Sequence, residues 1–238
     1  MTVAQHPFQV PPTRKVPPLQ SGDRLTRVEF ERRYDAMPGL KKAELIEGIV
    51  YMGSPVRFEQ HGEPHYVMSG WLTYYQAKTP GLRGGDNSTV RLDDENEPQP
   101  DLILRIEPSA GGKPHVDEDG YVNGPVELAI EIAASSVSID MHIKLNAYRK
   151  QGIGEYLVYR VEDQALNWFT LEGGQYTEIS PDPNGILKSK TFPGLWLSTN
   201  DLLARNLPGM FALLDLGAQS PEHAEFRERL ASRRQINC

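Results

Sequence analysis

Apolar residues recur at helical spacing in two segments of the chain. In residues 64–78, and again in 138–152, apolar side chains return every three or four positions, which predicts two amphipathic helices. Gly152 is a typical residue for the end of the second helix. Thr26, followed three positions later by Glu29, is typical of the capping box that opens a helix, so a shorter helix is predicted there.

Strand patterns occupy much of the sequence around these helices. Residues 43–52 have the pattern of a β-hairpin, with two apolar runs joined around Glu47 and Gly48. Four glycines and two prolines among charged residues predict a long flexible loop over 107–124. Further strands are predicted at short apolar runs, the last three resembling a β-meander: 88–92, 101–106, 126–134, 155–160, 165–170 and 175–179.

The order of these elements predicts the fold class. It is typical of an α/β (α+β) domain with a mixed central β-sheet flanked by helices and an added β-meander. A doubly wound nucleotide-binding fold is disfavoured, because the chain has no glycine-rich phosphate loop and no regular alternation of strand and helix. Residues 1–23, with five prolines and no periodicity, predict an extended arm, 24–205 the folded domain, and 206–238 a helical tail.

Length, charge and cysteine content restrict the class of protein. A chain of 238 residues can bury a sizeable core without disulfides. Its one cysteine, Cys238, has no partner for an internal disulfide, which fits a reducing compartment. Neither a signal-peptide pattern nor a membrane-spanning run is found, so we expect a cytoplasmic protein without a membrane partner. The net charge of −7 argues against a nonspecific nucleic-acid coat, but it is compatible with a nuclease whose carboxylates bind metal.

Two predicted strands carry carboxylates on one face. Because side chains alternate along a strand, Asp101 shares a face with Ile103 and Arg105, and Glu131 is bordered by the small residues at 129 and 133. If the strands are neighbours, the two carboxylates meet, and a hard divalent cation is the usual remedy for their repulsion. The alternative is a solvent-exposed charged face, with Asp101 as an ordinary turn residue at a strand entrance.

Several motifs together resemble a known family. In order along the chain they are "AELIEG", His65 on the following helix, "QPDLIL", "ELAIEIAASS", "DMHIKLNAYRKQGIGEY" and "FPGLWL". Their order and spacing resemble the "putative restriction endonuclease" family, a branch of the PD-(D/E)XK nuclease superfamily with the restriction endonuclease-like fold. The resemblance covers most of residues 24–205.

The resemblance implies an acidic, metal-dependent catalytic centre. Glu44, Asp101 and Glu131 would bind Mg²⁺, or Mn²⁺ in its place, and a lysine would position the attacking water. The superfamily pattern places that lysine at position 133, where this chain has alanine, and the resemblance points instead to Lys144 on the next helix. Asp140, four residues before Lys144, shares its helix face and could orient it. The alternative is that Lys144 is a surface lysine in an ordinary ion pair.

The resemblance also implies a nucleic-acid substrate and a set of competing functions. We expect a Mg²⁺-dependent endonuclease that acts on DNA as a homodimer, with His65 and Arg105 as candidate phosphate contacts. His65 alone is also compatible with a packing or capping role. A non-catalytic binding or regulatory protein that keeps the nuclease fold is the main alternative, which Ala133 and the acidic charge favour. A metal-dependent hydrolase of another phosphate ester is a further alternative.

Overall fold

The computed structural model describes residues 15–53 and 55–236. Most of the predicted extended arm, residues 1–14, lies outside the described residues. Within its described part, Leu19 is buried in a small apolar cluster with Phe30 and Val50. In the part of the chain that the structure describes, no helix combines the length and the apolar character needed to cross a membrane.

Helices form where the sequence predicts them. Each of the two longer predicted helices opens with a wider π-helical turn, Phe58–Gly62 before α2 and Ile139–Lys144 before α3. Gly152, with a φ of 85°, ends α3 as predicted. The helices are α1 (Arg27–Asp35), α2 (Glu63–Lys78), α3 (Leu145–Gln151), α4 (Thr199–Leu203), α5 (Leu207–Ala218) and α6 (Pro221–Ile236).

Six strands form a mixed central sheet in the order β11-β10-β9-β8-β5-β3. The pair β8 and β9 is parallel, and the other neighbours are antiparallel. The antiparallel run β9-β10-β11 is the predicted meander. The strands are β1 (Ala43–Ile46), β2 (Ile49–Met52), β3 (Leu82–Asp86), β4 (Val90–Arg91), β5 (Leu102–Ile106), β6 (His115–Val116), β7 (Val122–Asn123), β8 (Leu128–Ala133), β9 (Glu155–Arg160), β10 (Ala165–Glu172), β11 (Gln175–Glu178), β12 (Ile186–Lys188) and β13 (Trp196–Ser198).

Apolar clusters cover both faces of the central sheet. On one face, Leu104 and Ile130 pack with side chains of α2, α5 and α6, such as Trp71. On the other face, Ile103 and Ala129 pack with α3 and with the β1–β2 hairpin. Every residue of β8 is therefore buried, as expected for a strand that helices cover on both sides. A solvent-exposed charged face on β8 is excluded, so its carboxylate needs partners inside the protein.

The predicted loop over 107–124 is irregular for most of its length, but two short strands interrupt it. This segment contains β6 and β7, which join β4 in a three-stranded sheet of order β4-β7-β6. The side chain of Asp117 organises it by accepting hydrogen bonds from Tyr121 N (2.9 Å), Asn123 Nδ2 (2.6 Å) and Arg91 Nη1 (2.7 Å). The carboxylate of Asp117 thus supplies hydrogen-bond acceptors that fix the conformation of this glycine-rich segment.

The capping box is also wrong in its mechanism. The helix begins after Thr26 as predicted, but the Thr26 side chain makes no capping hydrogen bond. Glu29 instead accepts hydrogen bonds from Arg32 and Arg33, each at 2.7 Å, further along the same helix. The two arginines lie three and four positions after Glu29, so they are its neighbours on the helix surface and pair with it as opposite charges.

Candidate functional site

Two neighbouring strands bring Asp101 and Glu131 together. β5 and β8 run antiparallel with Leu102 opposite Ile130, so Asp101 falls beside Glu131 in the register. The backbone N–H of Ile132 donates a hydrogen bond to Asp101 Oδ2 at 2.8 Å. Both carboxylates are 3% exposed. The structure thus places these two predicted site residues in one buried cluster, which we call the acidic cluster.

Lys144 is the cation inside the acidic cluster. Its Nζ lies 2.9 Å from Oε1 of Glu44 and 2.9 Å from Oε1 of Glu131, and 3.7 Å from Oδ1 of Asp140. The hydroxyl of Tyr148 donates to the same Glu131 oxygen at 3.0 Å. Lys144 is 3% exposed, so it is not the surface lysine of an ordinary helix ion pair.

Small residues make this approach of the helix to the sheet possible. Ala129 and Ala133 lie on the same face of β8 as Glu131, and both are fully buried. A larger side chain at either position would hold α3 away from the sheet. The small pair therefore leaves room for Lys144 and Tyr148 to reach the Glu131 carboxylate.

The β1–β2 hairpin delivers Glu44. Its two-residue turn has positive φ values at Glu47 (49°) and Gly48 (74°), the conformation that matches the twist of a hairpin. The backbone N–H of Gln99, two residues before Asp101, donates to Glu44 Oε1 at 2.7 Å. Glu44 is 8% exposed. Lys144 thus joins Glu44 and Glu131 directly, while Asp101 lies beside Glu131 in the register and accepts its own hydrogen bond from the backbone N–H of Ile132.

Lys42 and His61 complete the surroundings of Asp101, and the sequence analysis did not identify them. Nζ of Lys42 lies 3.1 Å from Asp101 Oδ1, and Nε2 of His61 lies 3.1 Å from Asp101 Oδ2. Their side chains are 29% and 23% exposed, in contrast to the 4% of Asp101. They therefore form the solvent-facing rim of the acidic cluster.

A signal for both residues exists in the sequence. Lys42 precedes Glu44 by two positions, the spacing that puts two side chains on the same side of a strand. His61 precedes His65 by four positions, the spacing of neighbours on a helix. These spacings are common, however, and they gain meaning only when the partner strand is known.

The two predicted phosphate contacts occupy different positions. His65 lies beside the cluster, with Nε2 3.0 Å from the backbone oxygen of Asp101 and 3.2 Å from Oδ1 of Asp86. Arg105 lies four residues along β5, about 13 Å from Asp101. It is 4% exposed, and its guanidinium donates to the backbone oxygen of Pro114 at 3.3 Å. The structure does not bring Arg105 to the acidic cluster.

The surroundings of the carboxylates in the cluster shift their pKa values in opposite directions. Burial alone would raise the pKa of Asp101, but the hydrogen bond from His61 and the charge of Lys42 outweigh it and hold that pKa well below its usual range. Burial raises the pKa of Glu131 to about 8, because the attraction of Lys144 is opposed by the neighbouring carboxylates. Lys144 itself stays charged, since the surrounding carboxylates overcome the effect of burial and raise its pKa well above the usual value.

The acidic cluster has more negative than positive charge. With the residues that Lys42 and Lys144 bind, it contains four carboxylates and these two lysines; the carboxylates belong to Glu44, Asp101, Glu131 and Asp140. Two carboxylates therefore lack a cation when all four are ionised. Among the described residues, no three His, Cys, Asp or Glu side chains are arranged to hold a metal ion by themselves. Mg²⁺, however, typically takes one or two protein carboxylates and keeps several waters. The donor set and its charge fit a cation of that kind.

Comparison with known proteins places the chain in a family. The model of the family described as "Uma2: Putative restriction endonuclease" matches residues 28–200. The chain belongs to this family. Matches to solved structures include a crystal structure from Anabaena variabilis described as "a putative nuclease belonging to DUF820", at a TM-score of 0.52 and 15% identity, covering 76% of this chain and 97% of that one. No curated protein matches the chain.

The family match and the structural match confirm the predicted resemblance and fold. The family segment includes every member of the acidic cluster, from Lys42 to Tyr148, together with the central sheet. At 15% identity the solved structure is evidence for a restriction endonuclease-like arrangement of the sheet and helices.

Proposed function

We propose that the chain is a Mg²⁺-dependent endonuclease that hydrolyses phosphodiester bonds of DNA, with Mn²⁺ able to replace Mg²⁺. The observation that carries this proposal is the buried acidic cluster, in which four carboxylates face two lysines. Membership of a family described as restriction endonucleases supports a nuclease. The unmatched negative charge supports a divalent cation, since buried uncompensated charge is costly.

Each residue of the cluster has a distinct proposed role. Asp101 and Glu131 would hold the cation, with Glu44 as a third carboxylate close by. A bound Mg²⁺ would lower the pKa of a coordinated water and offset charge on the phosphoryl oxygens. Lys144 fixes the carboxylates of Glu44 and Glu131. It thereby supplies the lysine that the PD-(D/E)XK pattern places at position 133, where this chain has alanine.

The proposed reaction is the addition of water across a P–O bond. The hydroxyl of water bonds to phosphorus and the bond to the leaving sugar oxygen breaks. The remaining hydrogen ends on that oxygen, giving a phosphate monoester and an alcohol. Residues that fix charge in a buried site contribute most to such a step, because their dipoles need no rearrangement as charge develops. The many fixed hydrogen bonds of the acidic cluster meet this requirement.

A nicking assay on supercoiled plasmid tests the proposal. Wild-type protein with Mg²⁺ or Mn²⁺ should convert supercoiled plasmid to open-circle or linear DNA, and Asp101→Ala should not. Asp163→Ala is the matched control, because Asp163 is half-exposed on the turn after β9 and pairs only with Arg160 among the ion pairs of the structure's described residues. Equal nicking by wild type and Asp101→Ala would overturn the assignment of the site.

A non-catalytic binding protein with the same fold is the second candidate. The observation that favours it is the closed cluster itself, where Lys144 already occupies the space between Glu44 and Glu131. Calorimetric titration with Mn²⁺ separates the two functions. Binding in or below the millimolar range that Asp101→Ala abolishes supports the nuclease, and no binding supports the second function.

We also propose that the enzyme works as a homodimer in the cytoplasm. Cleavage of both strands of a duplex is simplest with two catalytic sites, one for each strand. A symmetric dimer of two copies of the chain would supply them. The single cysteine, Cys238, agrees with a reducing compartment. Light scattering after size-exclusion chromatography tests the assembly: the expected mass is twice 26.7 kDa, and a monomer at micromolar concentration would contradict it.

A further inference from the structure

The acidic cluster contains two lysines, and their surroundings differ. An ammonium group has three N–H donors and no acceptor. Nζ of Lys144 has two carboxylate oxygens at 2.9 Å and a third, of Asp140, at 3.7 Å. Its side chain is 4% exposed. Two donors of Lys144 are thus taken by carboxylates of the chain itself, and a third carboxylate lies within ion-pair distance. Because the ammonium is also buried, a substrate could meet it only if those contacts were broken.

Lys42 is placed differently, although it serves the same cluster. Nζ lies 3.1 Å from Asp101 Oδ1 and 3.4 Å from Asn87 Oδ1, which accounts for two donors. The side chain is 29% exposed. Among the described residues, Nζ of Lys42 has no third hydrogen-bond partner. Because a lysine head tends to turn toward water while its stem is buried, this donor can face the solvent. Lys42 therefore places its positive charge at the solvent-facing rim of the acidic cluster.

The rim also shows the direction from which an anion would approach. Lys42 contacts one oxygen of Asp101, and His61 contacts the other. The ammonium of Lys42 is partly exposed here, whereas the carboxylates behind it are buried. A phosphodiester carries one negative charge and two non-bridging oxygens, so it would meet this ammonium first and the carboxylates only afterwards.

We propose that Lys42 is the substrate-facing lysine of the site, donating a hydrogen bond to a non-bridging oxygen of the scissile phosphate, while Lys144 stays inside as a fixed cation. This inference rests on the proposed nuclease function and deepens it. Lys42 is then a catalytic residue in the sense that it touches the reacting group. Lys144 is a positioning residue, which acts through Glu44 and Glu131.

Variants of two adjacent lysines test the proposal. Lys42→Met keeps the length of the buried stem and removes the ammonium, and Lys42→Arg keeps the charge. Lys41→Met is the matched control, because Lys41 is exposed and makes its hydrogen bond through its backbone oxygen, to Tyr34. Thermal unfolding of each variant establishes that it folds. Should Lys42→Met fail to fold, Lys42→Gln takes its place, with an amide that keeps a hydrogen bond to Asp101.

Cleavage kinetics on a short DNA duplex with Mg²⁺ give the first readout. Removal of one donor to a developing charge typically lowers kcat by about 10²-fold. We expect that loss in Lys42→Met together with a smaller rise in KM from the lost phosphate contact, partial recovery of kcat in Lys42→Arg, and wild-type kcat in Lys41→Met. Equal kcat for Lys42→Met and Lys41→Met, in a wild type that cleaves, would overturn this inference alone.

Binding without divalent metal gives a second readout that does not depend on activity. Each phosphate contact adds about 0.9 to the slope of log K against log salt concentration. Anisotropy titrations of a labelled duplex in EDTA should show a slope smaller by about that amount in Lys42→Met than in wild type, and no change in Lys41→Met. An unchanged slope in Lys42→Met would overturn the inference. A wild type that neither binds nor cleaves DNA would overturn the proposed function and this inference with it.

Discussion

The replacement Lys144→Met removes the internal cation of the acidic cluster and leaves its carboxylates in place. Glu44 and Glu131 each lose a hydrogen bond of 2.9 Å to an ammonium while they remain buried. Breaking a buried ion pair by removal of one partner costs about 3–5 kcal/mol. Because Glu131 already has a pKa raised to about 8, it can take up a proton cheaply, so we expect a loss near 3 kcal/mol, the lower end of that range.

Unfolding measurements can resolve this effect. In a domain of this size, 1 kcal/mol corresponds to roughly 2–4 °C in Tm, so the variant should melt about 6–12 °C below wild type. Urea titrations without metal should show a larger loss at pH 8.5 than at pH 6, because Glu131 is protonated at the lower pH. The double variant with Glu131→Gln should recover part of the loss, since the two side chains are coupled.

A lysine on the same helix is the control for this prediction. Lys150 lies on α3 and pairs with Glu47, but its side chain is 57% exposed. An exposed pair is worth about 0–1 kcal/mol, so Lys150→Met should change stability by no more than that. A loss below about 1 kcal/mol in Lys144→Met, or equal losses in the two variants, would refute the view of Lys144 as the cation that holds the cluster together.

Three further changes test other buried carboxylates. Burial, with Glu31 beside it, raises the pKa of Glu97 from 4.5 to about 8, so the stability that the protonated group provides is present below pH 4.5 and is lost as the pH rises to 8. In urea titrations, Glu97→Gln should therefore have a higher free energy of unfolding than wild type at pH 8.5 but not at pH 5, and a difference that stays constant with pH would contradict this. The pKa of Asp101 is lowered despite burial, so the ionised carboxylate stabilises the fold and Asp101→Asn should be less stable than wild type at pH 7. This difference should disappear only in strong acid, where the wild-type carboxylate is protonated, and equal stability at pH 7 would contradict the prediction. The carboxylate of Glu155 accepts hydrogen bonds from Trp168, Ser189, Lys190 and Thr191. Glu155→Gln should therefore lower the free energy of unfolding by about 1–3 kcal/mol and leave the calorimetric affinity for Mn²⁺ unchanged. A loss of Mn²⁺ binding would show that this carboxylate has a wider role.

The strands and helices around the site are largely predictable from local sequence. The alternation in 101–106 and 126–134 predicts two strands with Asp101 and Glu131 on one face, and the structure confirms that arrangement. The spacing of Asp140 and Lys144 predicts that they share a helix face, which also holds. These predictions succeed because side-chain periodicity is a property of the backbone of each element alone.

The parts that fail depend on contacts between distant segments. Lys42 precedes Asp101 by 59 positions, and His61 precedes Asp101 by 40. No local pattern shows that both side chains reach the same carboxylate. The short strands β6 and β7 form because Asp117 finds partners on either side of the loop. The burial of Lys144 likewise requires the hairpin that carries Glu44, 100 positions earlier. Each of these features needs the tertiary fold before it can be stated.

We propose that Asp101 and Glu131 hold one divalent cation. A crystal structure of the protein soaked in Mn²⁺, with anomalous diffraction collected at the manganese absorption edge, can show whether they do. We predict a single anomalous peak between the two carboxylates, bonded to an oxygen of each and otherwise to water. A map with no peak in the acidic cluster at millimolar Mn²⁺, or with Lys144 still bridging Glu44 and Glu131 and manganese bound elsewhere, would contradict the claim.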